Sequence, residues 1–298
     1  MNPPPPRALV FGASGQIGRR VLARLQARGW HVVALCRGEP PAAASGVEWR
    51  RGALPDAAGA GDGFDAIFSC GPLDLFSLWD ERHATGAARA GAFGSTSGHV
   101  KHASSEPAER ELAGRLRAAE ARLAAAAAAR GATVTLLRPT LVYGAGSDRN
   151  LSRIAALARR HGFFLLPHDA CGLRQPVHVD DLGDAALAAL QRAGTDFAAY
   201  DLPGGETLPY REMVARLLQS LRPPARLLLL PGPLFGFAAV LARWLRVHDA
   251  GAAVLARMRQ DLVFDASAAA RDLGYAPRRF MPEAGMSGSD QYLHPSLR

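Results

Sequence analysis

The chain has 298 residues, 48% of them hydrophobic, and its 35 basic residues outnumber its 27 acids to leave a formal net charge of +8. That length admits one large domain, or a domain with a smaller lobe, around a substantial core. All the basic residues but Lys101 are arginine; such a surface suits an anionic small molecule, and no basic run interleaved with aromatics argues for a nucleic-acid stripe. In chain order, Arg7 to Phe11 reads as a strand. Ile17 to Arg28 reads as a helix, with Ile17, Val21, Leu22 and Leu25 on one face and Gly29 closing it. HVVALC, His31 to Cys36, is a continuous apolar run of the kind buried on both faces of a parallel sheet. Val47 to Trp49 reads as a third strand, Asp65 to Cys70 as a fourth and Gly91 to Ser97 as a fifth. An alanine-rich helix spans Pro107 to Arg130, with Glu111 and Arg115 spaced as an i,i+4 pair, before Gly131 and the strand TVTLLRP.

Beyond Pro139 the pattern is less regular. LSRIAALARRHG is a helix with a glycine stop, and QPVHVDDLGDAALAAL is a strand running into a helix with Asp180 or Asp181 as its N-cap. ETLPYREMVARLLQSL is another helix. Leu227 to Ala242 carries no charge for 16 residues, short of the ~20 that span a bilayer. It reads as a buried strand-turn-helix, with peripheral membrane contact as the lesser reading. Cys36, Cys70 and Cys171 are too widely spaced for a zinc knuckle or a disulfide framework, so no metal site is expected. Met1 to Pro6 has no apolar stretch behind a charged start, and the expected location is cytoplasmic.

Strands alternating with helices argue for a doubly wound parallel α/β sheet. The expected division is a dinucleotide-binding domain over residues 7–200, with lobe insertions around 145–175, and a smaller C-terminal substrate lobe over 201–298. The stretch FGASGQIG, Phe11 to Gly18, places three glycines between a strand and a helix. Gly12 serves a sharp turn, Gly15 lets the backbone approach a pyrophosphate, and Gly18 lets the helix pack close to the sheet. The helix N-terminus then turns free N–H groups and the positive end of its dipole to the phosphates. At the end of the second strand, residues 34–38 contain no acid to bind a ribose diol, but Arg37 offers a planar fork to a 2′-phosphate. NADP is therefore expected in preference to NAD.

The segments GASGQIG, FDAIFSCGP, FGSTS, TLLRPTLVYGAGSDRNL, RQPVHVDDLGDA, YDLPGGETLPYREM and DLGYAP run in the order and spacing of a known family. The chain resembles the extended short-chain dehydrogenases, the NAD-dependent epimerase/dehydratase family, over about residues 7–280. The resemblance implies a Rossmann sheet with a C-terminal substrate lobe. It implies that Gly12, Ser14, Gly15, Gln16, Ile17, Gly18, Arg37, Gly71 and Pro139 line the cofactor.

Active members carry a Ser or Thr, a Tyr and a Lys four residues after the Tyr, which move a proton at a carbinol. The resemblance puts the hydroxyl at Thr96, flanked by Ser95 and Ser97. The Tyr and Lys positions fall at Leu112 and Leu116, so that pair is missing, and arginine is no substitute because it keeps its proton. His99, in the loop that also holds Lys101 and His102, is the natural alternative acid-base group. Tyr143, in RPTLVYG, is a second candidate. The same gap resembles an atypical branch, typified by the short-chain-dehydrogenase-like accessory subunit of respiratory complex I, that keeps NADPH without turning it over. The expected function is NADP-dependent oxidoreductase or epimerase-type chemistry on a small, anionic carbonyl or nucleotide-sugar-like substrate. The alternative is a catalytically silent NADP(H)-binding structural or redox-sensing protein.

Overall fold

The computed structural model describes residues 4–40, 46–57, 62–83, 87–148, 150–194, 196–232, 235 and 252–283. The chain divides into two compact units. The first is residues 1–140, 179–202 and 265–276; the second is residues 141–178, 203–264 and 277–298.

The first unit is built on seven strands: β1 (Arg7–Phe11), β2 (His31–Cys36), β3 (Val47–Arg51), β4 (Ala66–Ser69), β5 (Arg89–Phe93), β6 (Thr133–Pro139) and, late in the chain, β11 (Phe197–Leu202). They form one parallel sheet in the order β11-β6-β5-β4-β1-β2-β3. The order reverses beside β1, the feature that opens a ligand crevice at the C-terminal strand ends of a doubly wound sheet. Such a sheet needs apolar side chains on both faces, and β1, β2 and β4 are buried almost throughout. Leu9, Phe11, Val33, Leu35, Ile67 and Leu136 face one layer of helices, α2 (Leu73–Arg82) and α4 (Pro107–Arg130). That layer adds Phe76, Trp79, Leu116 and Leu123 to a common core. Two further helices, α1 (Gln16–Ala27) and α6 (Val179–Ala189), pack on each other and on the sheet. Arg24 of α1 grips Asp184 of α6 with its fork, Nε to Oδ1 at 2.6 Å and Nη2 to Oδ2 at 3.1 Å, while Arg20 reaches Asp180 at 3.1 Å. Helix α4 is bounded as its sequence dictates, by Pro107 in its first turn and by Gly131 in the left-handed region at φ 61°.

In the second unit, short strands pair as β7 (Val142–Tyr143) with β10 (Val177–His178) and β9 (Leu173–Arg174) with β12 (Leu208–Pro209). Strand β8 (Phe163–Pro167) pairs in parallel with β13 (Arg226–Leu230). Helices α5 (Leu151–His161) and α7 (Tyr210–Ser220) close a core that includes Ile154, Leu166, Met213, Leu217 and Phe280.

Four expectations need revision. The fifth strand stops at Phe93, and Ser97 opens a single turn of helix, α3 (Ser97–Val100), because the chain after Gly94 hydrogen-bonds across to β6 and then coils. Asp180 and Asp181 do not cap α6; the helix starts at Val179 and both lie in its first turn, Asp180 paired with Arg20 and Arg24 of α1. Residues 265–276 return to the first unit, where Tyr200 of β11 donates a 3.0 Å hydrogen bond to Asp272 in the helix Ser267–Leu273. The uncharged run is only partly buried where it is described: Leu228 is 42% and Leu229 40% exposed, while Phe235 is buried and Leu227 packs on the core of the second unit. Residues 233–234 and 236–242 of that run lie outside the described residues.

Candidate functional site: a phosphate cradle and a charged sheet edge

The cradle lies where β1 ends. Gly12 has φ +67°, and a Cβ there would meet the Cys70 carbonyl carbon and oxygen at 2.9 Å and the Gly71 nitrogen at 3.1 Å. The loop after β4, carrying Gly71, therefore closes on the turn. A Cβ on Gly18 would stand 2.1 Å from the Gly12 carbonyl oxygen, so α1 starts at backbone contact with the turn. Gly15 caps α1 from an ordinary extended conformation, φ −73° and ψ 170°, and is exposed. Its one close neighbour is the Gly12 oxygen, 3.2 Å from a built Cβ. The first N–H groups of α1, those of Gln16, Ile17 and Gly18, lie beyond the reach of intrahelical bonding, and the first turn holds no acid to occupy them. Ser14 is exposed, and its carbonyl accepts from Arg19 Nε at 2.9 Å.

Beside this opening the Gln16 Oε1 and the Ser69 Oγ are buried without a hydrogen-bond partner. An orphaned amide and an orphaned hydroxyl at the ends of β4 and the glycine turn fit a polar ligand that supplies the missing bonds. Arg37 is exposed just past the end of β2, and Arg51, the register partner of Cys36 on β3, is exposed next to that end. The residues present therefore fit a dinucleotide: backbone N–H groups for a pyrophosphate, glycine where the backbone must come close, and guanidinium groups at the ribose end.

The second cluster stands at the C-terminal ends of β5, β6 and β11. Thr96 is 6% exposed, and both its backbone N–H and its hydroxyl donate to the Pro139 carbonyl, each at 3.3 Å. Pro139 thus anchors the loop after β5. The Ser95 hydroxyl donates to the Ser97 hydroxyl at 3.0 Å and accepts from the Ser97 N–H at 3.1 Å, and both serines are half-buried. The loop therefore has more than one hydroxyl to offer beside Thr96, the position the resemblance favours. His99, 47% exposed at its side chain, points Nε2 to Asp201 Oδ1 at 3.6 Å. Lys101 pairs with Glu109 at 3.3 Å, and His102 Nδ1 lies 2.6 Å from the His99 carbonyl oxygen. Leu112 packs against the main core and Leu116 belongs to it, so no polar group stands on α4 at those two positions.

Arg138 of β6 forks onto Glu120 of α4, Nε to Oε1 at 3.0 Å and Nη2 to Oε2 at 2.5 Å, and its Nη1 lies 3.6 Å from Asp201 Oδ1. Burial opposes the Arg138 charge, but the bonds to Glu120 and the charge of Asp201 outweigh it and raise its pKa above the ordinary value. Asp201 and Glu120 were not legible as site residues, since nothing in their local sequence sets them apart.

Tyr143 belongs to the second unit. It is 2% exposed, its ring packs edge-on against His178 and Phe280, and its hydroxyl donates to the Arg279 carbonyl and accepts from the Met281 N–H, both at 3.3 Å. A Cβ on the neighbouring Gly144, at φ +107°, would strike His178 Nε2 at 2.3 Å. Among the described residues no group of three or more His, Cys, Asp or Glu side chains is placed to hold a metal. No helix among them is long and apolar enough to cross a membrane.

Residues 113–201, which run from α4 through β6 to β11, match the profile of the NAD dependent epimerase/dehydratase family. A 2-alkyl-3-oxoalkanoate reductase of Stenotrophomonas maltophilia (strain K279a) is 29% identical over 73% of this chain and 76% of its own length. Among solved structures, a UDP-galactose 4-epimerase superposes with TM-score 0.69 at 15% identity, covering 94% of this chain and 96% of that one. MoeE5 in complex with UDP-glucuronic acid and NAD gives TM-score 0.67 at 20% identity, over 92% and 94%. At these identities the two structures establish the fold.

Proposed function

Starting from a chain whose residues 113–201 match the NAD dependent epimerase/dehydratase family, we propose that this protein binds NADP(H). We propose further that it uses the cofactor for oxidoreductase or epimerase-type chemistry on a small carbonyl or nucleotide-sugar-like substrate. The observation that carries the reading is the three-glycine cradle. Gly12 and Gly18 are locked by backbone contact, and Gly15 is exposed before the N-terminus of α1. The names of the similar proteins, a reductase of 2-alkyl-3-oxoalkanoates and proteins acting on or holding UDP-sugars, agree with that substrate range. MoeE5 holds NAD, so the preference for NADP rests on Arg37 of this chain.

When bound, the reduced nicotinamide supplies a hydride to a carbonyl carbon. The N–H groups of Gln16, Ile17 and Gly18 hold the pyrophosphate, and Arg37 pairs with the 2′-phosphate. In carbonyl reduction the oxygen must gain a proton as the carbon gains its hydride. His99 is the acid-base side chain on the sheet edge where ligands of this fold bind, and it donates that proton and recovers it from solvent. The hydroxyls of Ser95, Thr96 and Ser97 orient the substrate oxygen.

Leu112 and Leu116, at the positions where the resemblance expects Tyr and Lys, favour a second reading, an NADP(H)-binding structural or redox-sensing protein without turnover. Following NADPH oxidation with a panel of 3-oxoacyl, aldehyde and UDP-sugar compounds separates the two. Oxidation coupled to one of them supports the enzyme, and His99→Gln should then slow it about 10²- to 10⁴-fold with NADPH affinity kept. Stoichiometric NADPH retention with no oxidation supports the silent reading, and failure to bind either dinucleotide rejects both.

A further inference from the structure

Two neighbouring strands of the first unit break their own pattern at the same end. Val134 and Leu136 of β6 face the α2–α4 core, and the next residue on that face is Arg138. Phe197 and Ala199 of β11 pack on the same core, and the next residue on that face is Asp201. Arg138 and Asp201 are register partners, so the apolar face ends in a facing pair of charges.

Simple mutual neutralisation does not account for this pair. The Arg138 fork is committed to Glu120, and what remains for Asp201 is Nη1 at 3.6 Å, beyond a hydrogen bond. Asp201 Oδ1 is buried with no hydrogen bond, and its other ion-pair neighbour is His99 Nε2, also at 3.6 Å. A buried carboxylate oxygen is costly unless N–H groups share it, and the imidazole stands as near to it as the guanidinium does. Packing delivers the histidine to this spot. A Cβ on Gly98 would lie 3.6 Å from Leu116 Cβ, so the turn α3 rests on α4 at Leu116.

We infer that Asp201 is the positioning residue for His99: its carboxylate orients the imidazole by accepting a hydrogen bond from Nε2–H, while Arg138, clamped by Glu120, holds the carboxylate in place. The inference rests on the reading of His99 as the proton-transfer group. In that arrangement the imidazolium is balanced by a fixed negative charge.

The test uses the full chain and four variants, Asp201→Asn, Asp201→Glu, His99→Gln and the double variant His99→Gln/Asp201→Asn. Asp201→Asn keeps the shape and removes the charge. It should lower kcat about tenfold or more with KM and NADPH affinity little changed, and Asp201→Glu should recover part of the loss. The double variant should be no slower than His99→Gln alone, since Asp201 acts only through the ring. Losses that multiply, or an Asp201→Asn variant that matches the wild type, overturn the inference. A second readout needs no turnover: NMR relaxation of the His99 imidazole carbons should show an ordered ring in the wild type and a mobile one in Asp201→Asn. Equal ring order in both overturns the hold of Asp201 on His99. Turnover unaffected by His99→Gln overturns the proton-transfer reading instead, and the ring-order result then still decides the positioning.

Discussion

A Cβ on Gly18 would stand 2.1 Å from the carbonyl oxygen of Gly12, far inside van der Waals contact with main-chain atoms that cannot swing aside. Gly18→Ala should therefore push α1 off the turn and destabilise the fold by about 1–3 kcal/mol or more. Gly15 is the contrast. Its φ of −73° suits any residue, and its built Cβ meets the Gly12 oxygen at only 3.2 Å. Gly15→Val should keep the fold and lose dinucleotide binding. Denaturant unfolding and NADPH titration of the two variants check both halves; undiminished NADPH affinity in a folded Gly15→Val protein would sink the cradle.

Arg37 is exposed past the end of β2, and the nearest acid along the chain, Glu39, is exposed as well. NADPH should bind more tightly than NADH, and Arg37→Ala should remove most of the difference. A charge-assisted contact of about 1.5–3 kcal/mol corresponds to roughly ten- to a hundredfold in affinity. Calorimetric titration with both cofactors checks it, and equal affinities in the wild type would remove the basis for NADP.

Asp80 of α2 is 2% exposed and is held by Arg130 at the end of α4, Nη2 to Oδ2 at 2.7 Å and Nη1 to the Asp80 carbonyl at 3.0 Å. Burial pushes the Asp80 carboxyl above its ordinary 3.8, and Arg130 works against that rise. The folded protein thus holds this proton more tightly than the unfolded chain does. Stability from this group is fully present below 3.8 and is lost as the pH rises through the raised folded value. Removing Arg130 takes away the opposing charge and widens that window. Arg130→Ala should cost up to about 3 kcal/mol at neutral pH, with part of the loss recovered in mild acid. Denaturant unfolding at pH 7 and pH 5 measures it; an equal loss at both would contradict a buried, uncompensated carboxylate.

Arg24 joins α1 to α6 through Asp184 and through the Asp180 carbonyl at 3.0 Å, but the Asp184 side chain is 64% exposed. Exposed pairs contribute little, so Arg24→Ala should cost only about 0.5–1 kcal/mol, and the cost should shrink with added salt. Thermal melts at low and high ionic strength read it directly. A salt-independent loss would assign the effect to packing of the Arg24 stem against Gly183 instead.

The strand, the glycine turn and the first helix were legible because their signals are local. An apolar run, three glycines at fixed spacing and an amphipathic face each act within a few residues, and β1, the turn and α1 lie where those signals put them. The alternation of strands and helices likewise implied a parallel doubly wound sheet, since crossover connections leave few other arrangements. The uncharged leucines of β13 misled for the opposite reason: hydrophobicity does not say what will cover a strand, and among the described residues β13 pairs with β8 alone.

By itself the sequence determined the three-glycine turn between a strand and a helix and the sheet class, because each is a matter of residue type and short spacing. Only the tertiary structure decided which polar groups meet at the sheet edge. Asp201 reaches Arg138 through the β6–β11 register, Glu120 reaches Arg138 from a helix, and His99 reaches Asp201 from α3, which rests on α4 at Leu116. The same is true of Tyr143, whose hydroxyl is committed to the backbone of residues 279 and 281. These encounters join residues far apart in the chain, and only the packed sheet and helices bring them within ion-pair and hydrogen-bond distance.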